Sequence, residues 1–239
     1  LPADFICTVD NIYRPLARDL ASRALAHSAT LIVGVNGAQG TGKSTLTRFL
    51  CALLEFEFGL TTAAFSLDDI YLTKQQRLDL AQDVHPMLAV RGVPGTHDIR
   101  LGTQVIDDLL SAKSADITAI PYFNKATDDR APEGEWSSVV GKPSVIIVEG
   151  WCAGAAPEDE SALTEPMNTL EATEDPQGVW RHYVNLQLQT TYRDFFARFD
   201  VLVFIPVPRW ELVFEWRLLQ EQKLKAKCIE DGRDTSSVM

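Results

Sequence analysis

The strongest constraint on the fold lies between Thr30 and Thr45, which reads TLIVGVNGAQGTGKST. An apolar run, Leu31 to Val35, breaks into a glycine-rich turn and continues into a segment with helical patterning, the strand, loop and helix order that a phosphate-binding loop requires. Gly37-Ala38-Gln39-Gly40-Thr41-Gly42-Lys43-Ser44 fits G-x-x-x-x-G-K-[ST] at every fixed position, and Thr45 follows. The glycines let backbone N–H groups turn inward around an anion, and a helix starting near Lys43 adds the positive end of its dipole. Lys43 is expected to reach the β- and γ-phosphates of a nucleotide and Ser44 to put its hydroxyl on Mg²⁺. An accidental glycine-rich turn is the competing reading, and the flanking strand and helix weigh against it. The motif names a triphosphate, not what is done with it.

The 239 residues suit one large α/β domain with an insertion better than two domains. Acidic residues outnumber basic ones 33 to 22, a formal charge of −11, so a general attraction to nucleic acid or to an anionic membrane is not expected. Cys7, Cys51, Cys152 and Cys228 are scattered without C-x-x-C pairing, which speaks for free thiols rather than a zinc site or a disulfide framework. No apolar run approaches a membrane span, and the first residues lack a basic region followed by an apolar core, so the chain reads as cytoplasmic. Monomer and homodimer both stay open.

The segment from Leu1 begins irregularly, and Leu16, Leu20, Ala24 and Leu25 then recur at helical spacing after Pro15. Past the glycine-rich turn, Leu46, Phe49, Leu50, Leu53 and Leu54 form a buried helical stripe ending near Gly59. Thr61 to Leu67 is the second strand and delivers Asp68 and Asp69 to its C-terminal end, the edge where open α/β sheets bind ligands. Lys74 to Gln82 reads as helix and Val84 to Asp98, VHPMLAVRGVPGTHD, as a loop. With Arg91, two glycines and His97, that loop suits substrate contact, a plain connection being the other reading. His97 and Asp98 cap a helix running through Ser111, with Leu101, Val105, Ile106, Leu109 and Leu110 facing inward.

Ile117 to Ile120 is a short strand, followed by the charged loop PYFNKATDDRAP. Ser144 to Val148 is a continuous apolar run, typical of a strand buried on both faces, and Glu149 at its end occupies the Walker-B position. Residues 153–178, rich in Pro, Glu, Asp and Ala, read as an inserted, partly mobile segment. Val179 to Phe199 is amphipathic and helical, and Asp200 to Val207 is another buried strand. Pro208 opens a last helix to about residue 227, whose Trp210, Val213, Phe214 and Leu218 accompany Arg217, Lys223, Lys225 and Lys227. That cationic stripe is either a solvated face or a lid closing on phosphates.

Strands near residues 31, 62, 117, 145 and 201, separated by helices, give a three-layer α/β sandwich of P-loop type with a central parallel sheet. Ser44, Asp68 and Glu149 then converge on one Mg²⁺, and Asp68 or Asp69 is placed to take a proton from an attacking hydroxyl. The acceptor and the transition state also call for cations, with Arg91, Lys125 and Arg130 as candidates. Arg91 is the first choice to clamp a carboxylate bidentately; surface arginines without such a role are the alternative. Asn124-Lys125-Ala126-Thr127-Asp128 imitates the guanine-reading N-K-x-D, but it is one residue too long and precedes the Walker-B strand, so guanine specificity is rejected.

Together GVNGAQGTGKST, SLDDIYLT, HPMLAVRGVPGTHD, PYFNKATDDRAP, VIIVEGWCAG, PMNTLE, the VN of WRHYVNLQLQTTYRDFF, and EWRLLQEQKL resemble the D-glycerate 3-kinase family. These are the glycerate kinases of plant type, within the larger group of uridine kinase, phosphoribulokinase and bacterial pantothenate kinase. The resemblance spans nearly the whole chain, and RGVPGTHD and EGWCAG in this order are its specific parts. It implies ATP on Gly37 to Thr45, Asp68 as base or metal ligand, Glu149 on Mg²⁺, and Arg91, His97 and Asp98 near the acceptor. Two departures stand out: the loop motif usually reads F-D-K where this chain has Asn124, and relatives continue into a further helix where this chain stops at Met239, so the C-terminus reads as truncated. The expected activity is γ-phosphoryl transfer from ATP to D-glycerate. A kinase for another small alcohol, of the uridine or pantothenate kind, is the close alternative, and a nucleotide-dependent switch without a small acceptor is the alternative of another class.

Overall fold

The computed structural model describes residues 5–26, 29–209, 211–216, 218–219 and 222. Its centre is a four-stranded, all-parallel sheet made of β1 (Leu31–Gly37), β2 (Thr62–Ser66), β7 (Val145–Gly150) and β8 (Val201–Ile205), in the order β2-β7-β1-β8. Between β2 and β7 in the chain lie two small antiparallel ladders. In one, β3 (Ile117–Ile120) pairs with β6 (Ser137–Val140); in the other, β4 (Phe123–Asn124) pairs with β5 (Asp129–Arg130).

The sheet is buried on both faces because its middle strands are apolar along nearly their whole length. On one face Leu31, Val33, Val35, Val145 and Ile147 pack against Ala17, Leu20, Ala21 and Ala24 of the helix Arg14–Ala26 and Leu46, Leu50, Leu53 and Leu54 of the helix Lys43–Phe58. On the other, Ile32, Ile146 and Val148 meet Val105, Ile106 and Leu109 of the helix Ile99–Ser111, together with Tyr192, Phe195 and Phe196. These are the three layers of the P-loop sandwich. Gly59, in the left-handed region at φ 67°, ends the helix Lys43–Phe58, as its sequence position implies.

The expected fifth parallel strand is absent from the central sheet. In β3, exposed and buried residues alternate, the mark of a strand with one face in water, whereas a strand inside a parallel sheet is apolar on both faces. β3 accordingly joins the antiparallel ladder with β6. β8 also departs from expectation: it forms the edge of the central sheet, leaving Leu202 and Phe204 exposed. The N-terminal region is helical already from Phe5, through a wide π turn at Val9–Tyr13, rather than irregular, and Leu25 points outward.

The expected helix from Val179 is divided. Val179–Gln187 and Arg193–Phe196 are α-helical and are joined by a π turn at Leu188–Tyr192. Residues 153–178 contain a short 3₁₀ turn at Glu160–Leu163 and a helix at Thr169–Glu174. They are fastened by the buried pair of Arg181 and Asp175, in which Arg181 Nη1 donates to the carboxylate at 3.1 Å and Nε donates to the Leu163 carbonyl at 2.6 Å. Cys152 is buried, Cys51 half-buried and Cys7 exposed, all as free thiols; Cys228 lies outside the described residues. No helix among the described residues is long and apolar enough to cross a membrane.

Candidate active site

The C-terminal ends of β1, β7 and β2 form one continuous edge. The register sets Glu149 of β7 beside Val35 of β1 on one side and beside Ser66 of β2 on the other. The strand leading into the phosphate loop and the strand leading to the aspartate pair are thus both indexed to the same glutamate, which is buried at 8% exposure.

In the loop itself Gly40 and Gly42 have φ of 80° and 91°, backbone that favours glycine. A Cβ on Gly40 would also stand 2.5 Å from Cβ of Trp216, in the helical residues 211–216. Thr41 closes the turn, its hydroxyl donating to the Ala38 carbonyl at 2.8 Å. Lys43 Nζ donates to the same carbonyl at 3.0 Å. Burial holds the Lys43 ammonium below its ordinary pKa, against the opposite pull of Glu149 and Asp68. Ser44 is exposed at the start of its helix. Asn36 Nδ2 donates to the Ala153 carbonyl at 2.7 Å, tying the end of β1 to the segment after β7.

The two aspartates after β2 have different surroundings. Asp69 accepts from the Ser66 backbone N–H at 3.0 Å, half of a capping box on the 3₁₀ turn Leu67–Ile70. Burial raises its carboxyl to a pKa of about 6. Asp68 receives Lys125 Nζ at 2.5 Å and the Tyr71 hydroxyl at 3.0 Å. Burial pushes its pKa up, but Lys125 and Tyr71 outweigh burial and hold it below the usual range.

The loop RGVPGTHD is ordered by its own bonds. Thr96 is buried, its hydroxyl donates to the Val93 carbonyl at 2.7 Å, and Gly92 N–H donates to that hydroxyl at 3.0 Å. Gly95, at φ 99°, comes so close to Tyr183 that a Cβ would stand 2.5 Å from its ring. Trp151 Nε1 donates to the Gly92 carbonyl at 2.9 Å, joining this loop to the segment after Glu149. His97 is buried and stacked on Tyr71, with ring centroids 4.4 Å apart at 19°. Burial pulls its pKa down to about 4, so the imidazole is neutral at physiological pH. Asp98 caps the helix Ile99–Ser111 through Leu101 N–H at 3.0 Å. Its second carboxylate oxygen accepts from Arg130 Nη2 at 2.9 Å, which also donates to the Tyr71 carbonyl.

The three candidate acceptor cations therefore each meet a carboxylate: Lys125 with Asp68, Arg130 with Asp98, and Arg91 with Asp128. Arg91 also lies over the Phe123 ring at 5.5 Å, with Arg77 at the same distance from that ring. Asn124 Oδ1 accepts from the Ala126 and Thr127 N–H groups at 3.0 and 3.4 Å. That is a local turn cap, which an aspartate could also form. Arg217 and Lys223, the expected lid cations, lie outside the described residues.

Sequence reasoning passes over Tyr71, Phe123, Asp128, Trp151 and Tyr192, the side chains that hold the candidates in place. Tyr71 and Trp151 stand inside SLDDIYLT and VIIVEGWCAG, and their position beside the acidic residues is the one signal that could have marked them. Nothing in the order of residues signals that Asp128 adopts φ 55° or that Tyr192 meets His97. Among the described residues no three His, Cys, Asp or Glu side chains cluster to hold a metal alone. A serine hydroxyl with one or two carboxylates at a phosphate loop still suits Mg²⁺, a hard ion that keeps waters and takes its other ligands from substrate phosphates.

No family model matches the chain. It is 32% identical over 216 residues to an uncharacterized kinase of Schizosaccharomyces pombe (mug58), covering 87% of this chain and 76% of that one. To the chloroplastic D-glycerate 3-kinase of Arabidopsis thaliana it is 30% identical over 213 residues, covering 85% of this chain but only 42% of the plant protein. Among solved structures, D-glycerate 3-kinase from Cryptococcus neoformans superposes with a TM-score of 0.74 at 29% identity, covering 90% of this chain and 78% of that one. With the phosphate loop, the buried Glu149 and the aspartate pair on one sheet edge, the chain belongs with the Schizosaccharomyces pombe protein to a family of P-loop kinases, a group of ATP-dependent phosphotransferases.

Proposed function

We propose that the protein transfers the γ-phosphoryl group of ATP to a hydroxyl of D-glycerate, with Asp68 as the acceptor base. The observation that carries this reading is the position of Asp68, in the 3₁₀ turn that directly follows β2 at the sheet edge shared with the phosphate loop, and bonded to Lys125 and Tyr71. The relatives from Arabidopsis and Cryptococcus named as D-glycerate 3-kinases support glycerate as the acceptor. Mg²⁺, held by Ser44, Glu149 and Asp68, would supply charge neutralisation across the phosphates.

The residues of the chain do the rest. Backbone N–H groups from Gly37 to Thr45 cradle the phosphates, and Lys43 leaves the Ala38 carbonyl for the β- and γ-oxygens. Asp68 accepts the hydroxyl proton late, when the forming phosphate ester has made it acidic, so a carboxylate below the usual range suffices. Lys125, released from Asp68, stays beside the transferring group as a counter-charge. Arg91, half-exposed and braced on Phe123, takes the acceptor carboxylate in a bidentate clamp in exchange for its contact with Asp128. His97 and the Asp98–Arg130 pair form the wall behind it.

The test is ADP release with D-glycerate, uridine, pantothenate or no acceptor, with the product identified by mass and phosphorus NMR. Phosphoglycerate formed only with D-glycerate is the expected result. Turnover with uridine or pantothenate alone would reassign the acceptor, and acceptor-independent turnover would replace the kinase reading with a nucleotide switch.

A further inference from the structure

We infer that Tyr192 is a positioning residue that locks His97 with its proton on Nε2, so that the buried imidazole presents an N–H donor to an oxygen of the acceptor. The inference deepens the kinase reading and rests on it for the identity of the acceptor.

The hydrogens around one phenol decide the tautomer. Tyr192 is fully buried. Its oxygen accepts from Gly95 N–H at 2.9 Å and, over a longer 3.4 Å, from His97 N–H. The same oxygen lies 2.6 Å from His97 Nδ1. A phenol has one proton and two lone pairs to offer. With both lone pairs engaged by backbone donors, only the O–H remains for Nδ1, which must then be a bare acceptor. A neutral imidazole carries its one proton on the other nitrogen, so His97 is the Nε2–H tautomer.

That Nε2–H is buried and has no hydrogen-bond partner among the described residues. A donor left so costs about 1–3 kcal/mol, and orphaned buried donors call for an explanation. The surroundings offer one. His97 stacks on Tyr71, whose hydroxyl donates to Asp68, and the charge of Asp68 is felt at the imidazole. Tyr71 thus links the ring that carries the unpaired donor to the proposed base, and an acceptor bound beside Asp68 would bring the hydroxyl and carboxylate oxygens that this donor lacks.

The backbone accounts for how Tyr192 gets there. The π turn Leu188–Tyr192 adds a residue to the helix and rotates the residues after it by about 100°. In a continuous α-helix from Val179, residue 192 would face elsewhere. Extra residues of this kind occur frequently at functional sites.

The first measurement is the tautomer itself, by long-range ¹H–¹⁵N correlation on histidine-labelled, ligand-free protein. A protonated Nε2 and a bare Nδ1 at His97 are expected, and Tyr192→Phe, which keeps the ring and removes the O–H, should show both tautomers. The second is kinetics. His97→Asn keeps an acceptor at the Nδ1 position and loses the Nε2 donor, whereas His97→Gln keeps a donor near Nε2. Tyr192→Phe and His97→Asn should raise the KM for the acceptor about tenfold or more, with the KM for ATP within twofold, and His97→Gln should recover most of the loss. A wild-type protein with the proton on Nδ1 overturns the inference. So does an unchanged acceptor KM in Tyr192→Phe, or an equal loss in His97→Gln and His97→Asn. If D-glycerate is not phosphorylated at all, the proposed function fails, and the tautomer measurement, which needs no acceptor, decides this inference by itself.

Discussion

Replacing Arg77 by methionine should destabilise the protein by about 3–5 kcal/mol. Its side chain is 0% exposed and lies under the loops that carry Arg91 and Lys125. Nη1 donates to the Leu72 carbonyl at 2.8 Å, Nε to the Ala89 carbonyl at 3.2 Å, and Nη2 to both the carbonyl and the carboxylate of Asp128, at 2.9 and 2.6 Å. Methionine fills much of the same volume but supplies none of these donors. Each carbonyl left buried and unpaired costs roughly 1–3 kcal/mol. Asp128 keeps 37% of its side chain in water and adds less. Part of the desolvation cost of the guanidinium is recovered, which holds the sum near the range stated. For a chain of this size each kcal/mol moves Tm by about 2–4 °C, so Arg77→Met should lower it by roughly 6–20 °C, and urea denaturation should give the same free-energy loss at constant m-value. Asp128→Asn, which leaves Arg77 its three carbonyls, should cost much less. An Arg77→Met protein within about 1 kcal/mol of wild type would refute the assignment of Arg77 as the anchor of the 72–89–128 junction.

Lys43→Ala should abolish turnover with circular dichroism unchanged, and Asp68→Asn should cut kcat by about a hundredfold or more while ATP binding changes little; near-normal turnover in Asp68→Asn would pass the base role to Asp69. Because burial depresses the His97 pKa from 6.5 to about 4, the unfolded chain binds a proton there that the folded chain refuses. The stability from this group is present above pH 6.5 and is lost as pH falls from 6.5 toward 4, so thermal melts of His97→Gln should show a shallower acid-side decline than wild type. Asn124→Asp should be tolerated with a change within about 0.5 kcal/mol, since either side chain caps the 126–127 amides; a large loss by chemical denaturation would show that the amide group itself is required.

Legibility in the sequence follows contact range. The phosphate loop, the strands β1, β2 and β7, and Glu149 are readable because short segments carry them: glycines at fixed offsets, unbroken apolar runs, a carboxylate at a strand end. β3 is misplaced by sequence order, in which alternating strands and helices suggest a parallel strand, while the alternating burial of Ile117–Ile120 belongs to an antiparallel ladder. In the candidate site, the identity of the charged residues is legible and their partners are not. Asp68 and Lys125 are 57 residues apart and Arg91 and Asp128 are 37 apart, and each pair meets only through tertiary packing. The division of labour between Asp68 and Asp69 is hidden for a related reason, since it depends on which carboxylate turns back to cap Ser66.

β7 acts as a ruler inside the molecule. Because it is hydrogen-bonded to β1 on one side and β2 on the other, with Glu149 level with Val35 and Ser66, the spacing between the phosphate loop and the aspartates beyond β2 is set by ladder geometry rather than by loop length. The segments proposed to contact an acceptor, 91–98 and 122–130, hang from this frame without forming part of it. On the proposed function, substitutions there would change the acceptor while the separation of phosphate loop and aspartate stays fixed, so specificity would be free to drift without rebuilding the reaction.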